Sequence, residues 1–207
     1  MQSLPFPAAS LPDAPALRTM FEARKRVFVD ILKWNVPVLG GIYEVDQFDN
    51  HKAEYLVLLD ESGLHRASAR LLRTEEPHIL ADLYPLLCDG AVPAGPSTRE
   101  ITRFCLEPRQ RTAERRQARD QLVTALADHA LNSGITEYTG VASVGWFAQI
   151  AAFGWQCTAL GSPRTIAGHR LVGLHIRIDE TTRARLKAAG IYSPLTFRLA
   201  RSPGVQS

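Results

Sequence analysis

Arg24, Phe28, Trp34, Asp46, Asp49, Arg70, Glu100 and Arg103 put guanidinium groups, carboxylates and aromatic rings into the first half of this chain. Acids beside aromatic faces suit a cationic ligand, because a ring face attracts a positive charge by about 0.5–2 kcal/mol. Arg24 is the hardest of these to place on a surface. Leu17, Met20, Phe21, Val27, Phe28 and Ile31 recur at helical spacing, and Arg24 falls inside their stripe while Lys25 and Arg26 fall outside it. A guanidinium turned toward a core needs carboxylate partners, since an unpaired buried charge costs several kcal/mol. Asp46 and Asp49, in the run Glu44-Val45-Asp46-Gln47-Phe48-Asp49, are near enough in the chain to serve. Each residue also has a plainer reading. Phe28 and Trp34 suit a core, the aspartates suit turns, and Arg70 is one member of a strand face shared with Ser68 and Leu72.

Glu100 and Arg103 lie three apart in Thr98-Arg99-Glu100-Ile101-Thr102-Arg103-Phe104-Cys105-Leu106, which reads as a strand. In a regular strand they point to opposite faces. A bulge between them turns both toward one side, and bulges commonly re-aim side chains beside active sites. An exposed structural ion pair is the alternative.

The elements that must position these residues follow from periodicity and punctuation. A helix is expected near 14–32, then a long irregular segment over 33–50, of a length that is usually functional or mobile. Strands at 53–60 and 64–73 are joined by Glu61-Ser62-Gly63, a hairpin signal. A short helical stretch fits 79–87. Thr112 opens a helix running to Ser133, stopped by Gly134. A strand at 137–142, a helix at 144–153 ended by Gly154, strands at 155–160 and 170–178, and a helix at 179–189 stopped by Gly190 complete the pattern. The order predicts a single α/β domain over 1–190 around one sheet, with a loose, proline-bearing tail at 191–207.

Composition narrows the class. The 207 residues are 22% charged and 45% hydrophobic, ordinary for a globular protein with a substantial core. No apolar run approaches the ~18–20 residues that span a bilayer, and no signal-peptide pattern opens the chain. Cys88, Cys105 and Cys157 read as unpaired thiols of a cytoplasmic protein, and the six histidines show no metal-binding spacing. No metal is expected. Net charge is only +3, but Arg109, Arg111, Arg115, Arg116 and Arg119 crowd into eleven residues. They form either a solvated helix face or a docking patch for an anionic partner. No aromatic residue interleaves with them, so nucleic acid is not indicated.

Arg24-Lys25-Arg26-Val27-Phe28 with Trp34, Asp46-Gln47-Phe48-Asp49, Ala69-Arg70-Leu71-Leu72 and Glu100-Ile101-Thr102-Arg103-Phe104 together resemble the LuxI-type acyl-homoserine-lactone synthases over about residues 17–180. Tyr84 stands where the family often has phenylalanine. The resemblance implies the fold of the GNAT acetyltransferases: a mixed, mostly antiparallel sheet flanked by helices, with a V-shaped cleft and a bulged strand near Glu100 and Arg103. It also implies a quorum-sensing signal made from S-adenosylmethionine and an acylated carrier. Both are substrates, and no cofactor is needed. In GNAT enzymes a glycine-rich loop at a helix N-terminus holds the CoA pyrophosphate. The matching stretch here, 107–115, has no glycine, which suits an acyl carrier protein docking on the arginines; acyl-CoA stays open as donor.

Two steps are implied. The amine of S-adenosylmethionine, of pKa about 8, must lose a proton before it attacks the thioester, with Glu100 as the candidate base beside Arg103 and bulge N–H groups as an oxyanion site. The carboxylate then closes the lactone and expels methylthioadenosine. Phe28, Trp34 and Phe104 would bury the adenosylmethionine, while Arg24, Asp46, Asp49, Arg70 and Arg103 would hold the 33–50 segment over it. The acyl pocket would come from 138–153 and the strand facing it, with Thr139, Val141, Ser143, Trp146 and Phe147 as its lining. Thr139 matches a position where a hydroxyl accompanies 3-oxo chains in the family. The rivals are a conventional GNAT N-acyltransferase using acyl-CoA and a non-catalytic anion-binding module.

Overall fold

The computed structural model describes residues 14–201. Residues 1–13 and 202–207, parts of the expected domain and tail, lie outside the described residues. The chain gathers into two compact units. Unit 1 takes the described parts of Met1–Leu71, Arg103–Leu122 and Leu195–Ser207, and unit 2 takes Leu72–Thr102 and Val123–Pro194.

Unit 1 opens on helix α1 (Ala14–Arg24), whose buried Leu17, Met20 and Phe21 follow the stripe read from sequence. The chain then continues as a π-helical segment, Lys25–Ile31. That wider i→i+5 winding, frequent at functional sites, changes the phase of the stripe. Phe28 is therefore buried but Ile31, expected inside, is exposed. A two-stranded ribbon, β1 (Val38–Leu39) with β2 (Tyr43–Glu44), lies within the irregular segment.

Strands β3 (Glu54–Leu59) and β4 (His65–Arg73) form the expected antiparallel hairpin, in which Tyr55 is the register partner of Arg70. The loose C-terminal tail is a correction. Arg198–Arg201 forms a strand, here β10, antiparallel to β3, with Ala200 opposite Val57. An unpaired β3 edge would leave backbone groups unsatisfied, and a four-residue strand after proline-bearing chain carries little sequence signal.

His65 on β4 is buried; one ring nitrogen contacts Ser68 Oγ at 2.9 Å, and Nδ1 has no hydrogen-bond partner among the described residues. Burial, and secondarily Arg26, pushes this imidazole down to about 3. The unfolded chain therefore binds the extra proton first. Stability present above the unfolded pKa of about 6.5 is lost as pH falls toward 3. His65→Gln should flatten this slope, as measured by denaturation midpoints between pH 7 and 4. Parallel slopes for the two proteins would refute it.

Unit 2 is built on a mixed, mostly antiparallel sheet. Strand β5 (Thr98–Leu106) pairs in parallel with β6 (Glu137–Ser143), and β9 (His169–Arg177) runs antiparallel to β6, to β7 (Gln156–Ala159) and to β8 (Arg164–Ile166). Helix α3 (Thr112–Ser133), begun in unit 1, covers one face of β6, where the Tyr138 hydroxyl donates to Leu126 O at 3.0 Å. Helices α2 (Ile79–Leu83), α4 (Val144–Ala151) and α5 (Thr182–Ala188) complete the unit. α5 packs so closely on the turn after α4 that a Cβ at Gly154 would lie 2.7 Å from that of Ala189, and Gly154 also holds φ at +98°. Burial pushes the thiol of Cys157 up to about 11 and that of Cys105, in unit 1, up to about 12, so neither is a ready nucleophile.

Candidate active site

Three elements of unit 1 each direct an arginine at the segment 44–49. Arg24, the last residue of α1, is fully buried. Its Nε donates to Glu44 Oε2 at 2.5 Å, and its two terminal nitrogens bind both Asp49 oxygens at 2.8 Å each. Arg70 of β4 forks onto Asp46 at 2.6 and 3.1 Å and reaches Asp49 at 2.7 Å. Arg103 of β5 spans Glu44 Oε1 at 2.9 Å and Asp46 Oδ2 at 2.7 Å. Such bidentate pairs are the strong ones. The acids are locked in turn: Asp46 N donates to Asp49 Oδ2, Phe48 N to Asp46 Oδ1, and the Tyr55 hydroxyl to Asp49 Oδ1.

Burial alone would push Asp49 up, but Arg24 and then Arg70 overcome it and hold the carboxyl far below the usual carboxylate range. The same pairing, against burial, holds the Arg24 guanidinium well above its ordinary value. Tyr55 is pushed up by burial and by Asp49.

Phe28 and Trp34 stack with ring centroids 4.6 Å apart, and the Arg103 guanidinium lies over both, 5.5 and 5.7 Å from their centroids. Phe28 is buried, whereas Trp34 is 40% exposed. Arg103 sits in β5 with φ at +48°, a left-handed conformation costly for a residue with a Cβ. The alternation of buried and half-buried residues along β5 slips at Arg103 and Phe104. The slip follows Arg103, whereas from Glu100 to Arg103 the alternation is unbroken, so it is not the expected bulge between the two residues. Phe104 itself is half-buried.

The network corrects one feature of the expected cation site. Its three carboxylates, Glu44, Asp46 and Asp49, already face three guanidinium groups, so the cluster carries no surplus negative charge. Its work is to pin the 44–49 segment to α1, β4 and β5. Glu44 and Tyr55 are essential members that sequence reading missed. Glu44 sits two residues before Asp46, and period-two spacing was a signal that they share a face.

Glu100 belongs to unit 2. Its carboxylate is fully buried, and Oε1 accepts from Leu80 N, in the first turn of α2, at 2.9 Å. His78, at the N-cap of α2, makes no side-chain capping bond, so Glu100 supplies an acceptor from another strand. The β5–β6 ladder runs from Thr98–Glu137 to Glu100–Thr139 and stops, although both strands continue. At that point Gly140 admits Ile101 O, which would lie 3.0 Å from a Cβ.

Of the expected acyl-pocket residues, Thr139, Val141 and Ser143 alternate onto one face of β6. Thr139 is fully buried and Val141 half-buried. Ser143 is exposed and accepts from Trp146 N at 3.3 Å, so its hydroxyl is used as the N-cap of α4. Trp146 and Phe147 are half-buried on α4, with Trp146 edge-on to Phe153 at 6.0 Å.

The arginine run behaves unevenly. Arg109, Arg111, Arg115 and Arg116 are exposed around the start of α3, but Arg119 is half-buried and bonds Asp120 at 2.6 Å. Among the described residues no cluster of His, Cys, Asp and Glu is arranged to hold a metal ion, and no helix is long and apolar enough to cross a membrane.

Known proteins resemble this chain along most of its length. The family model described as autoinducer synthase matches residues 9–186. An acyl-homoserine-lactone synthase of Rhizobium etli is 35% identical over 167 residues, covering 78% of this chain and 77% of its own. Among solved structures, the CoA-dependent acyl-homoserine lactone synthase MesI shares 26% identity at a TM-score of 0.75, covering 86% of this chain and 89% of its own. TofI, solved in a ternary complex with an inhibitor and MTA, shares 27% identity at a TM-score of 0.70, over 83% of this chain and 89% of its own. With the arginine–carboxylate network in place and the match running through both units, the chain belongs to the autoinducer synthase family.

Proposed function

We propose that this protein makes an N-acyl-L-homoserine lactone from S-adenosylmethionine and an acyl thioester, releasing the donor's free thiol on amide formation and methylthioadenosine on ring closure. Family membership across residues 9–186 carries this reading, and the geometry of each unit supplies parts that the chemistry needs. In unit 1, the Phe28–Trp34 stack offers ring faces to the adenosylmethionine, and Phe104 follows Arg103 on β5. Arg24, Arg70 and Arg103 hold the segment bearing Glu44, Asp46 and Asp49 as a rigid wall of that site. Arg103 is the member with some exposure, 9% of its side chain against 1% for Arg24 and 0% for Arg70, so it is the one placed to meet a substrate carboxylate.

In unit 2, Glu100 acts as general base on the substrate amine, directly or through one water. The V-shaped opening is assigned to the point where the β5–β6 ladder ends, after Glu100 and Thr139. Thr139, Val141, Trp146 and Phe147 line the acyl pocket, in which each buried CH₂ contributes about 0.8 kcal/mol. Ring closure is intramolecular, so holding the methionine moiety folded supplies much of its rate.

The exposed arginines 109, 111, 115 and 116 dock an acidic acyl carrier protein. MesI is CoA-dependent, so the donor is decided by assay. The protein is incubated with S-adenosylmethionine and matched acyl-carrier, acyl-CoA and minimal acyl thioesters, and products are read by mass spectrometry. Acyl-homoserine lactone and methylthioadenosine in equal amounts are expected; their absence with every donor overturns the function. Arg115→Glu with Arg116→Glu should lower kcat/KM for carrier donors at least several-fold and leave the minimal thioester unchanged. Equal turnover of the carrier donor by both proteins would remove the patch from the mechanism.

A further inference from the structure

Among the described residues three that are not glycine hold a left-handed φ: Lys33 at +57°, Arg103 at +48° and Ala167 at +48°. Ala167 is accounted for by its turn. With Gly168 it joins β8 to β9, and two-residue hairpin loops ask for positive φ at such positions. The other two meet at one place in unit 1. Arg103 lies over the rings of Phe28 and Trp34, and Lys33 is the residue just before Trp34. Backbone in such a conformation persists only where its surroundings fix it, and it gathers at ligand clamps. Lys33 is exposed, so the packing of its side chain is not what fixes it.

Its backbone surroundings do. The π-helical winding ends with Leu32 N donating to Val27 O at 2.9 Å, and Trp34 N then reaches back to Phe28 O at 2.8 Å. Helices commonly close in this manner over one left-handed residue, and glycine is the usual occupant. Here the closing bond is one residue wider, in keeping with the π winding, and a lysine takes the place of the glycine. Phe28 and Trp34 are thereby joined twice: by that backbone bond, and by rings stacked 4.6 Å apart with 25° between their planes. Were Lys33 to relax to a negative φ, the Trp34 N–H would turn away from Phe28 O and its ring would leave the stack.

We propose that Lys33 is a positioning residue whose left-handed backbone sets the Trp34 ring on Phe28 and so shapes the face that receives the sulfonium-bearing substrate. The inference rests on the proposed function above, in which this stack meets S-adenosylmethionine. Lys33 touches no reacting atom; it acts through its φ and not through its ammonium group. Residues that enter the left-handed region readily, glycine and asparagine, can therefore replace it, whereas a β-branched residue cannot.

The test compares the unaltered protein with Lys33→Val, Lys33→Asn and Trp34→Ala, by calorimetric titration with S-adenosylmethionine and by lactone formation at varied substrate. Lys33→Val should raise Kd and KM for S-adenosylmethionine about two- to thirty-fold, the worth of one ring face to a cation, with KM for the acyl thioester unmoved. Lys33→Asn should keep both values low. In the Trp34→Ala background Lys33→Val should add nothing, because the ring it positions is gone. A Lys33→Val protein that binds S-adenosylmethionine as the unaltered one does overturns the proposal. So does a matching loss in Lys33→Asn, full additivity with Trp34→Ala, or an equal rise in both KM values, as expected of general destabilisation. Binding weakened by Lys33→Val, with no lactone from any donor, upholds the positioning and defeats the function reading. Lactone made with an unmoved KM does the reverse, and neither binding nor lactone in the unaltered protein defeats both.

Discussion

Arg24→Met is expected to destabilise unit 1 by about 3–5 kcal/mol, the range for stripping one partner from a buried ion pair. The side chain keeps most of its apolar stem and loses its charge, leaving Glu44 Oε2 and both Asp49 oxygens without the guanidinium that now bonds them. Arg103 and Arg70 still reach these acids, at 2.9 Å on Glu44 and 2.7 Å on Asp49, so the loss should fall toward the lower end. Asp49 would then titrate closer to an ordinary carboxylate, so the stability that the unaltered protein loses as pH falls below about 4 would be smaller in the variant, its slope flatter. Denaturant unfolding at pH 7 and pH 3 reads both effects. A second substitution, Glu44→Gln, should recover part of the loss in the Arg24→Met background while costing stability on its own, because it removes the carboxylate that Arg24 leaves behind. Additive losses would show that the two side chains do not share one network. Activity should fall with stability, because the 44–49 segment loses its anchor to α1.

Much of unit 1 was legible because the helix carried a contradiction. A stripe of Leu17, Met20, Phe21 and Phe28 with Arg24 inside it demands acids from elsewhere in the chain, and the structure supplies Asp49 and Glu44. What the chain could not reveal was the π-helical winding over Lys25–Ile31, since i→i+5 bonding has no spacing code of its own. Glu44 was passed over because acids in a turn-rich run look solvated, and only pairing with β1 turns its side chain inward.

Elements with strong punctuation came through with their boundaries. Strand β5 over Thr98–Leu106 and helix α3 over Thr112–Ser133 coincide with the expectation, helped by Gly134 with φ at +68° after the helix. The edge strands β8 and β10 did not. Arg164–Ile166 is nearly all exposed and shows no apolar alternation, and β10 depends on β3, far away in sequence. The same non-locality hid the row formed by Glu100, Thr139 and His175. Glu100 and Thr139 stood out in the sequence and His175 did not, because the register that aligns them is set by backbone pairing across three strands.

Glu100→Gln should abolish most turnover without disturbing the fold, which makes it the sharpest test of the mechanism. The glutamine carbonyl can still accept from Leu80 N at the position where Glu100 Oε1 now does so at 2.9 Å, so α2 keeps its anchor to β5. The amide cannot take a proton from an ammonium group. Loss of a positioned general base costs typically 10²–10⁴-fold in rate, and kcat for lactone formation from S-adenosylmethionine should drop by that order with little change in melting temperature. Two further readouts separate a base from a scaffold. The variant should regain activity as pH rises past about 8, where the free amine of the substrate becomes the main form. Supplied with preformed N-acyl-S-adenosylmethionine, whose amide needs no deprotonation, it should close the lactone near the rate of the unaltered protein. Glu100→Ala, which also removes the α2 anchor, should lose stability as well as turnover. If Glu100→Gln is as active as the unaltered protein at pH 7, or fails equally on the preformed intermediate, Glu100 holds α2 in place and another group takes the proton.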